Sequence, residues 1–249
     1  MKQIQNREDL KAYYFDQDLV STYIGERFQR PLGRLLHTTQ VDFVNAAIRD
    51  YQVQDLLEIA PGPGRVSSEI VGFQHGTMVD SSENMLKLAR ERLSRISTYP
   101  QWSFMQADIF EYRPAQSVDL VYSFRLIRHF ADAERQKLYA QINTFLKAQG
   151  LLIFDAVNAQ VSAPLRQQQP EAYPVYDKLF RKAELLQELH DNGFEVLLLH
   201  SVQCHFGIQA FLNNKIPQRF DPLTYWFIKR LEDKHSPQPL EWIVLCRKI

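Results

Sequence analysis

LLEIAPGPGRVSSEI, residues 56–70, runs an apolar stretch of strand character into a turn of two prolines and two glycines, and then towards a helix-period segment. A strand that ends in glycines and feeds a helix brings backbone N–H groups close to a ligand, because glycine has no Cβ to clash with it. The turn reads as a ligand seat. Taken alone, a Pro/Gly turn after a strand is equally well a structural turn. A nicotinamide dinucleotide asks for three glycines spaced G-x-G-x-x-G. Here Gly62 and Gly64 are followed by Ser67, and Ala60 holds the earlier small position, which weakens that reading.

From residue 53 onwards short apolar runs alternate with helix-period segments, the pattern of βαβ units on a parallel sheet. Strands are expected at 55–60, 76–80, 101–106, 117–123, 150–156, 194–203 and 241–247. RVSSEIVGF, SENMLKLARERLSRI, DAERQKLYAQINTFLKA and FRKAELLQELHDNG carry apolar residues at three- and four-residue spacing, as on a core-facing helix stripe. SSEN reads as the capped start of the second helix, and Asn192–Gly193 as the stop of the last. Residues 1–52 lack strand signals and are expected to form helices, DLVSTYIGERF and TQVDFVNAAIRDY, ahead of the sheet. Two stretches break the alternation, 157–178 and 204–239, and are expected to be cap insertions on one domain spanning 1–249. Only a short helix fits before 194–203, so the last two strands are expected to pair antiparallel on an otherwise parallel sheet.

The 249 residues, 45% hydrophobic, suffice for one sizeable core. Lys plus Arg equals Asp plus Glu at 29 each, so no net field draws the chain to nucleic acid or an anionic membrane. Neither partner is expected. Cys204 and Cys246 are too few for a disulfide framework, no apolar run approaches a membrane span, and the start is no secretory signal. A cytoplasmic location is expected. A monomer and a homodimer remain equally open.

Asp80 closes the second strand in GTMVDSS, where a carboxylate accepts hydrogen bonds from ribose hydroxyls. It can also simply cap the following helix. LLEIAPGPGR, MVDSSENMLKLAR, MQADIFEY and SVDLVYSFRLIRHF, in this order and spacing, resemble the class I S-adenosylmethionine-dependent methyltransferases. The resemblance covers roughly 53–203 and the final strand. It implies an α/β, Rossmann-like, seven-stranded mixed sheet with an antiparallel last strand, N-terminal helices and cap insertions, and S-adenosylmethionine as cofactor. It also implies that Glu58, Ala60 and Gly62 hold the methionine part, with Gly64 shaping the helix start. Asp80, with Ser81 and Met85, would take the ribose and adenosine, Asp108 and Ile109 the adenine, and Ser123 would stand at the end of the fourth strand beside the cofactor. Many members carry glycine at position 60, where this chain has alanine. An N-terminal tyrosine, here Tyr23 with Arg27 a turn later, would close over the cofactor's carboxylate.

The sulfonium methyl is already activated, so the protein's share is alignment, water exclusion and removal of a proton from the acceptor. SFRLIRHF places Arg125, Arg128 and His129 beside the fourth strand. His129 is a candidate base, or a histidine packed at the top of a helix. Arg125 and Arg128 are candidates for a substrate carboxylate or phosphate, or for pairing with Asp132 and Glu134. Arg166, Tyr173, Tyr176 and Trp226 in the insertions are candidate acceptor contacts, or ordinary cap packing. The place after the fourth strand reads SFRL, without the Asn/Asp, prolines and aromatic of base methyltransferases and without a carboxylate for a metal-dependent type, and no metal is predicted. The expected function is metal-independent methyl transfer to an O or N atom of a small molecule, for instance a sugar or secondary metabolite. The alternatives are a nicotinamide-dependent oxidoreductase and a non-catalytic S-adenosylmethionine-binding partner subunit.

Overall fold

The computed structural model describes residues 3–4, 7–15, 28–234, 236 and 238–249, with only the backbone of 11, 12, 14 and 15. Helices α1 (Arg7–Phe15) and α2 (Pro31–Asp50) precede the sheet; most of DLVSTYIGERF, with Tyr23 and Arg27, lies outside the described residues. The strands are β1 (Asp55–Ile59), β2 (His75–Asp80), β3 (Trp102–Gln106), β4 (Val118–Ser123), β5 (Leu146–Asn158), β6 (Leu179–Phe180), β7 (Phe194–Val202) and β8 (Glu241–Lys248). Their order is β3-β2-β1-β4-β5-β8-β7, parallel except for β8, which runs antiparallel to both β5 and β7. The expected Rossmann-like α/β sheet with its antiparallel last strand is present. A two-residue addition, β6, pairs with the end of β5 and makes the sheet eight-stranded.

Parallel strands covered on both faces alternate their apolar residues between two cores. Leu57, Ile59, Val121 and Phe154 face one layer with α4 (Asp132–Phe145) and α6 (Lys182–Asp191). Leu56, Met78, Leu120 and Ile153 face the other, with α2 and α3 (Glu83–Leu93). The helix boundaries follow local chemistry. Ser82 Oγ accepts from Met85 N at 3.3 Å and caps α3, and Gly193 takes φ +80° after α6.

The segment after the glycine turn departs from expectation. RVSSEIVGF forms only a 3-10 turn, Ser67–Glu69, instead of an α-helix. Gly62 and Gly64 at φ +56° and +66° hold its start out of helical geometry. Asn45 of α2 ends it, donating to Glu69 O and accepting from Val71 N, both at 3.0 Å. The insertions are largely helical: α5 (Ala159–Gln168) follows β5, and α7 (Phe206–Lys215) and α8 (Asp221–Glu232) lie between β7 and β8. Among the described residues no helix is long and apolar enough to cross a membrane.

Candidate active site and the cleft beside it

The carboxyl ends of β1, β2 and β4, with the loop after β3, surround one largely apolar cavity. Ala60 and Gly62 come from the turn after β1, Asp80, Ser81 and Met85 from the β2–α3 junction, and Asp108 and Ile109 from the loop after β3. Phe124, Arg125 and His129 supply the wall after β4. Sequential strand ends meet here because parallel strands all deliver their C-termini to one edge of the sheet.

Two backbone features shape the turn. Ala60, where the resemblance would allow glycine, sits at φ +52° with its N–H on Val79 O at 2.8 Å. The left-handed region costs an L-residue roughly 1–2 kcal/mol. A Cβ added at Gly62 would meet no atom within 4 Å and would project into open space, whereas one at Gly64 would fall 2.9 Å from Leu93 Cδ1. Gly62 thus leaves room in the cavity and Gly64 lets the turn pack on α3.

The Asp80 carboxylate accepts from Ser82 N at 2.9 Å and Gly62 N at 3.2 Å. Burial raises its pKa to about 6 against the pull of these N–H groups. Asp108 caps its own loop through Phe110 N and lies 3.7 Å from Arg7 of α1, whose guanidinium also covers the Phe110 ring. Arg7 and Leu10 therefore close one side of the cavity, a role that nothing in the polar start of the chain signals.

Three residues that the resemblance attached to the cofactor stand behind the wall rather than in it. Glu58 alternates to the opposite face of β1, where Ser67 Oγ and Tyr122 OH donate to its carboxylate. Burial pushes it up to about 7, opposed by those two donors. It ties the glycine turn to β4. Ser123 Oγ donates to Ile59 O at 2.8 Å and links β4 to β1. Gly64 packs on α3, and Tyr23 lies outside the described residues.

A second cleft of about 780 Å³ adjoins the first, with Arg125 on the wall of both. Both insertions contribute to it: Ser162, Arg166 and Tyr173 from the first, and Asn213 to Gln218 from the second. Arg166 lies over the Tyr173 ring at 4.5 Å. Among the described residues Tyr176 meets the site through its backbone carbonyl, and Trp226 stays half-exposed on α8 against Phe227 and Arg230, away from both cavities.

The pairing of the arginines also differs from expectation. Arg135 takes Asp132, while Arg128 is buried among Asp155 (2.8 Å), Asp177 (3.2 Å) and Glu241 (3.4 Å). Burial, then the charge of Asp155, raises Glu241 to about 7 against the pull of Arg128. Asp155 also accepts from the backbone N of Arg125, a residue at φ +64°. Asp155, Asp177 and Glu241 carry no local sequence signal: one lies within an apolar strand, one in a Pro/Tyr-rich loop and one at the head of the last strand. Among the described residues no group of three or more His, Cys, Asp or Glu side chains is placed to hold a metal ion.

Residues 56–150 match the family model described as a methyltransferase domain. The phosphoethanolamine N-methyltransferase 1 of Zea mays is 27% identical over 183 residues, which is 70% of this chain and 35% of that protein. The phosphoethanolamine N-methyltransferase of Triticum aestivum is 27% identical over 173 residues, 66% of this chain and 33% of that protein. The chain thus spans about a third of the length of these curated relatives. Among solved structures, magnesium protoporphyrin IX methyltransferase from Synechocystis PCC 6803 with bound S-adenosylhomocysteine superposes with a TM-score of 0.69 at 14% identity, covering 98% of this chain and 100% of that one. The N-methyltransferase NodS from Bradyrhizobium japonicum WM9, also with S-adenosylhomocysteine, gives 0.62 at 14% identity, covering 98% and 99%.

Proposed function

We propose that this chain, whose residues 56–150 match a methyltransferase-domain family model, is a class I S-adenosylmethionine-dependent methyltransferase that transfers a methyl group from S-adenosylmethionine to an O or N atom of a small molecule. One observation carries the reading: Ala60, Gly62, Asp80, Ser81, Met85, Asp108 and Ile109, distant in sequence, converge on one cavity whose Arg125 wall is shared with a second cleft. The residues fit the cofactor. The buried Asp80 carboxylate suits ribose hydroxyls, Gly62 leaves space beside backbone N–H groups, and Met85, Ile109 and Phe110 offer an apolar bed for adenine. Bound S-adenosylmethionine supplies an activated methyl group on a sulfonium.

The chain's own residues do the rest. Arg125, at the junction, orients the acceptor in the second cleft with Arg128, Arg166 and Tyr173, while Tyr176 shapes the loop from its backbone. Arg30, Arg125, Arg166 and Lys215 on that wall outnumber its carboxylates Asp177 and Glu241, which suits an acceptor with an anionic group, as the names of the maize and wheat relatives imply for theirs. His129 receives the acceptor's proton at Nε2. Its Nδ1 lies 2.9 Å from Tyr176 O, and since a carbonyl only accepts, Nδ1 carries the ring hydrogen and leaves the lone pair on Nε2. No metal takes part, and the reaction belongs to the cytoplasm, where the two free buried cysteines stay reduced.

Titration calorimetry with S-adenosylmethionine tests the cofactor site. Asp80→Ala removes the ribose acceptor and should weaken binding by about 1.5–3 kcal/mol, the range for hydrogen bonds to a charged group. Absence of binding to the wild-type protein, or an unchanged affinity in the variant, refutes the assignment.

A further inference from the structure

Asp177 lies in the first insertion, 48 residues beyond His129, yet its carboxylate reaches the ring: Oδ1 is 2.8 Å from His129 Nδ1. The same carboxylate holds Arg128 Nε at 3.2 Å and Arg166 Nη2 at 2.6 Å, and its side chain is 9% exposed. Burial disfavours its charge, but Arg128, the His129 N–H and Arg166 outweigh that and keep the carboxyl well below the usual carboxylate range. A fixed negative charge is thus held against the side of the imidazole opposite the nitrogen that bears the lone pair.

We propose that Asp177 is the positioning residue of His129: the Tyr176 carbonyl sets the hydrogen on Nδ1, and the Asp177 carboxylate fixes the ring plane and offsets the positive charge that the ring acquires. The inference rests on the reading of His129 as the base. In the step concerned, the acceptor's O–H or N–H bond breaks, its proton bonds to Nε2, and its electron pair stays on the acceptor atom. The imidazolium then carries both ring hydrogens, with the Nδ1–H on the Tyr176 carbonyl and the Asp177 carboxylate 2.8 Å from the same nitrogen. An orienting carboxylate behind a base histidine limits the ring's rotation and stabilises its charged form. The two arginines serve the carboxylate in turn. Arg128 is itself anchored by Asp155 and Glu241, so it ties the Asp177 carboxylate, and with it the end of the first insertion, to β5 and β8 beside the histidine.

Asp177→Asn is the test. Arg128 keeps two carboxylates in that variant, so the fold should survive. Turnover should fall by about 10²–10⁴-fold, the range a general base contributes, while the S-adenosylmethionine dissociation constant stays within about twofold. In proton NMR of the cofactor-free protein, the Nδ1–H signal of His129, identified by its loss in His129→Gln, should lie far downfield in the wild type and move upfield in Asp177→Asn. A carboxylate that only braced Arg128 and Arg166 would leave that signal unmoved. Wild-type turnover together with an unmoved signal in Asp177→Asn overturns the positioning role alone. Full turnover in His129→Gln removes the base reading, and the positioning role with it. Should the variant not fold, the wild-type spectrum still decides: a neutral ring with its hydrogen on Nε2 overturns the proposal.

Discussion

Gly62 and Gly64 stand two residues apart in the same turn, and alanine at each should fail in a different way. Both sit in the left-handed region, at φ +56° and +66°, which costs an L-residue roughly 1–2 kcal/mol. Replacing glycine also removes freedom from the unfolded chain, returning about 0.4–1 kcal/mol. At Gly62 nothing else opposes the Cβ, since no atom lies within 4 Å. Gly62→Ala should therefore lose only about 0.5–1.5 kcal/mol of stability. Gly62, however, lines the cavity with Asp80 and Met85, so a methyl group there should weaken cofactor binding at least tenfold, about 1.4 kcal/mol. At Gly64 the new Cβ falls 2.9 Å from Leu93 Cδ1, 3.1 Å from Ala89 Cβ and 3.2 Å from Ala89 Cα. Leu93 can yield, but the α3 backbone at Ala89 cannot, so overpacking adds about 1–3 kcal/mol. The total for Gly64→Ala is about 1.5–4.5 kcal/mol, or roughly 3–18 °C in Tm for a chain of this size. Urea denaturation and calorimetry with S-adenosylmethionine read the two variants separately. A Gly64→Ala protein as stable as wild type, or a Gly62→Ala protein that binds the cofactor normally, refutes the account of the turn.

Glu58 predicts a pH dependence of stability. Its folded pKa, about 7, lies above the ordinary 4.5, so the folded state binds the proton more tightly. The stability this contributes is complete below about pH 4.5 and is lost as pH rises through 7, by at most about 3.5 kcal/mol at 1.4 kcal/mol per unit. Glu58→Gln, which keeps an acceptor for Ser67 and Tyr122, should flatten the denaturation midpoint across that window relative to wild type; identical slopes contradict the burial argument. EDTA should leave turnover unchanged, because no metal is assigned a role, and a loss restored by magnesium contradicts that assignment.

Much of this molecule is legible along the chain because its signals are local. The alternation of short apolar runs with period-3.6 segments locates the sheet and the helices α2, α3, α4 and α6, Ser82 announces its cap, and the Pro/Gly turn and Asp80 announce the cavity. The glycine turn nevertheless ends in a 3-10 turn where the periodicity implies a helix. The competing terms there, Asn45 on α2 and the Glu58–Ser67 bond, come from outside the segment.

Neighbourhood across the sheet is a different kind of information. Strand alternation sends Glu58 to the face opposite the cavity, and only the pairing with β4 shows that Tyr122 receives it. Trp226 looks like a pocket aromatic in sequence, but α8 turns it outward, a matter of helix rotation that tertiary packing sets.

What the sequence by itself determined is the α/β class and the strand edge that carries the cavity, since both follow from the propensity and spacing of adjacent residues; the residues on its wall are reached through the resemblance of four such stretches to a family. What only the tertiary structure decided is which charges meet. Arg128 with Asp155, Asp177 and Glu241, and His129 with Asp177, join residues up to 113 positions apart. A buried charge must find a partner wherever the fold brings one, and sequence distance does not enter that requirement.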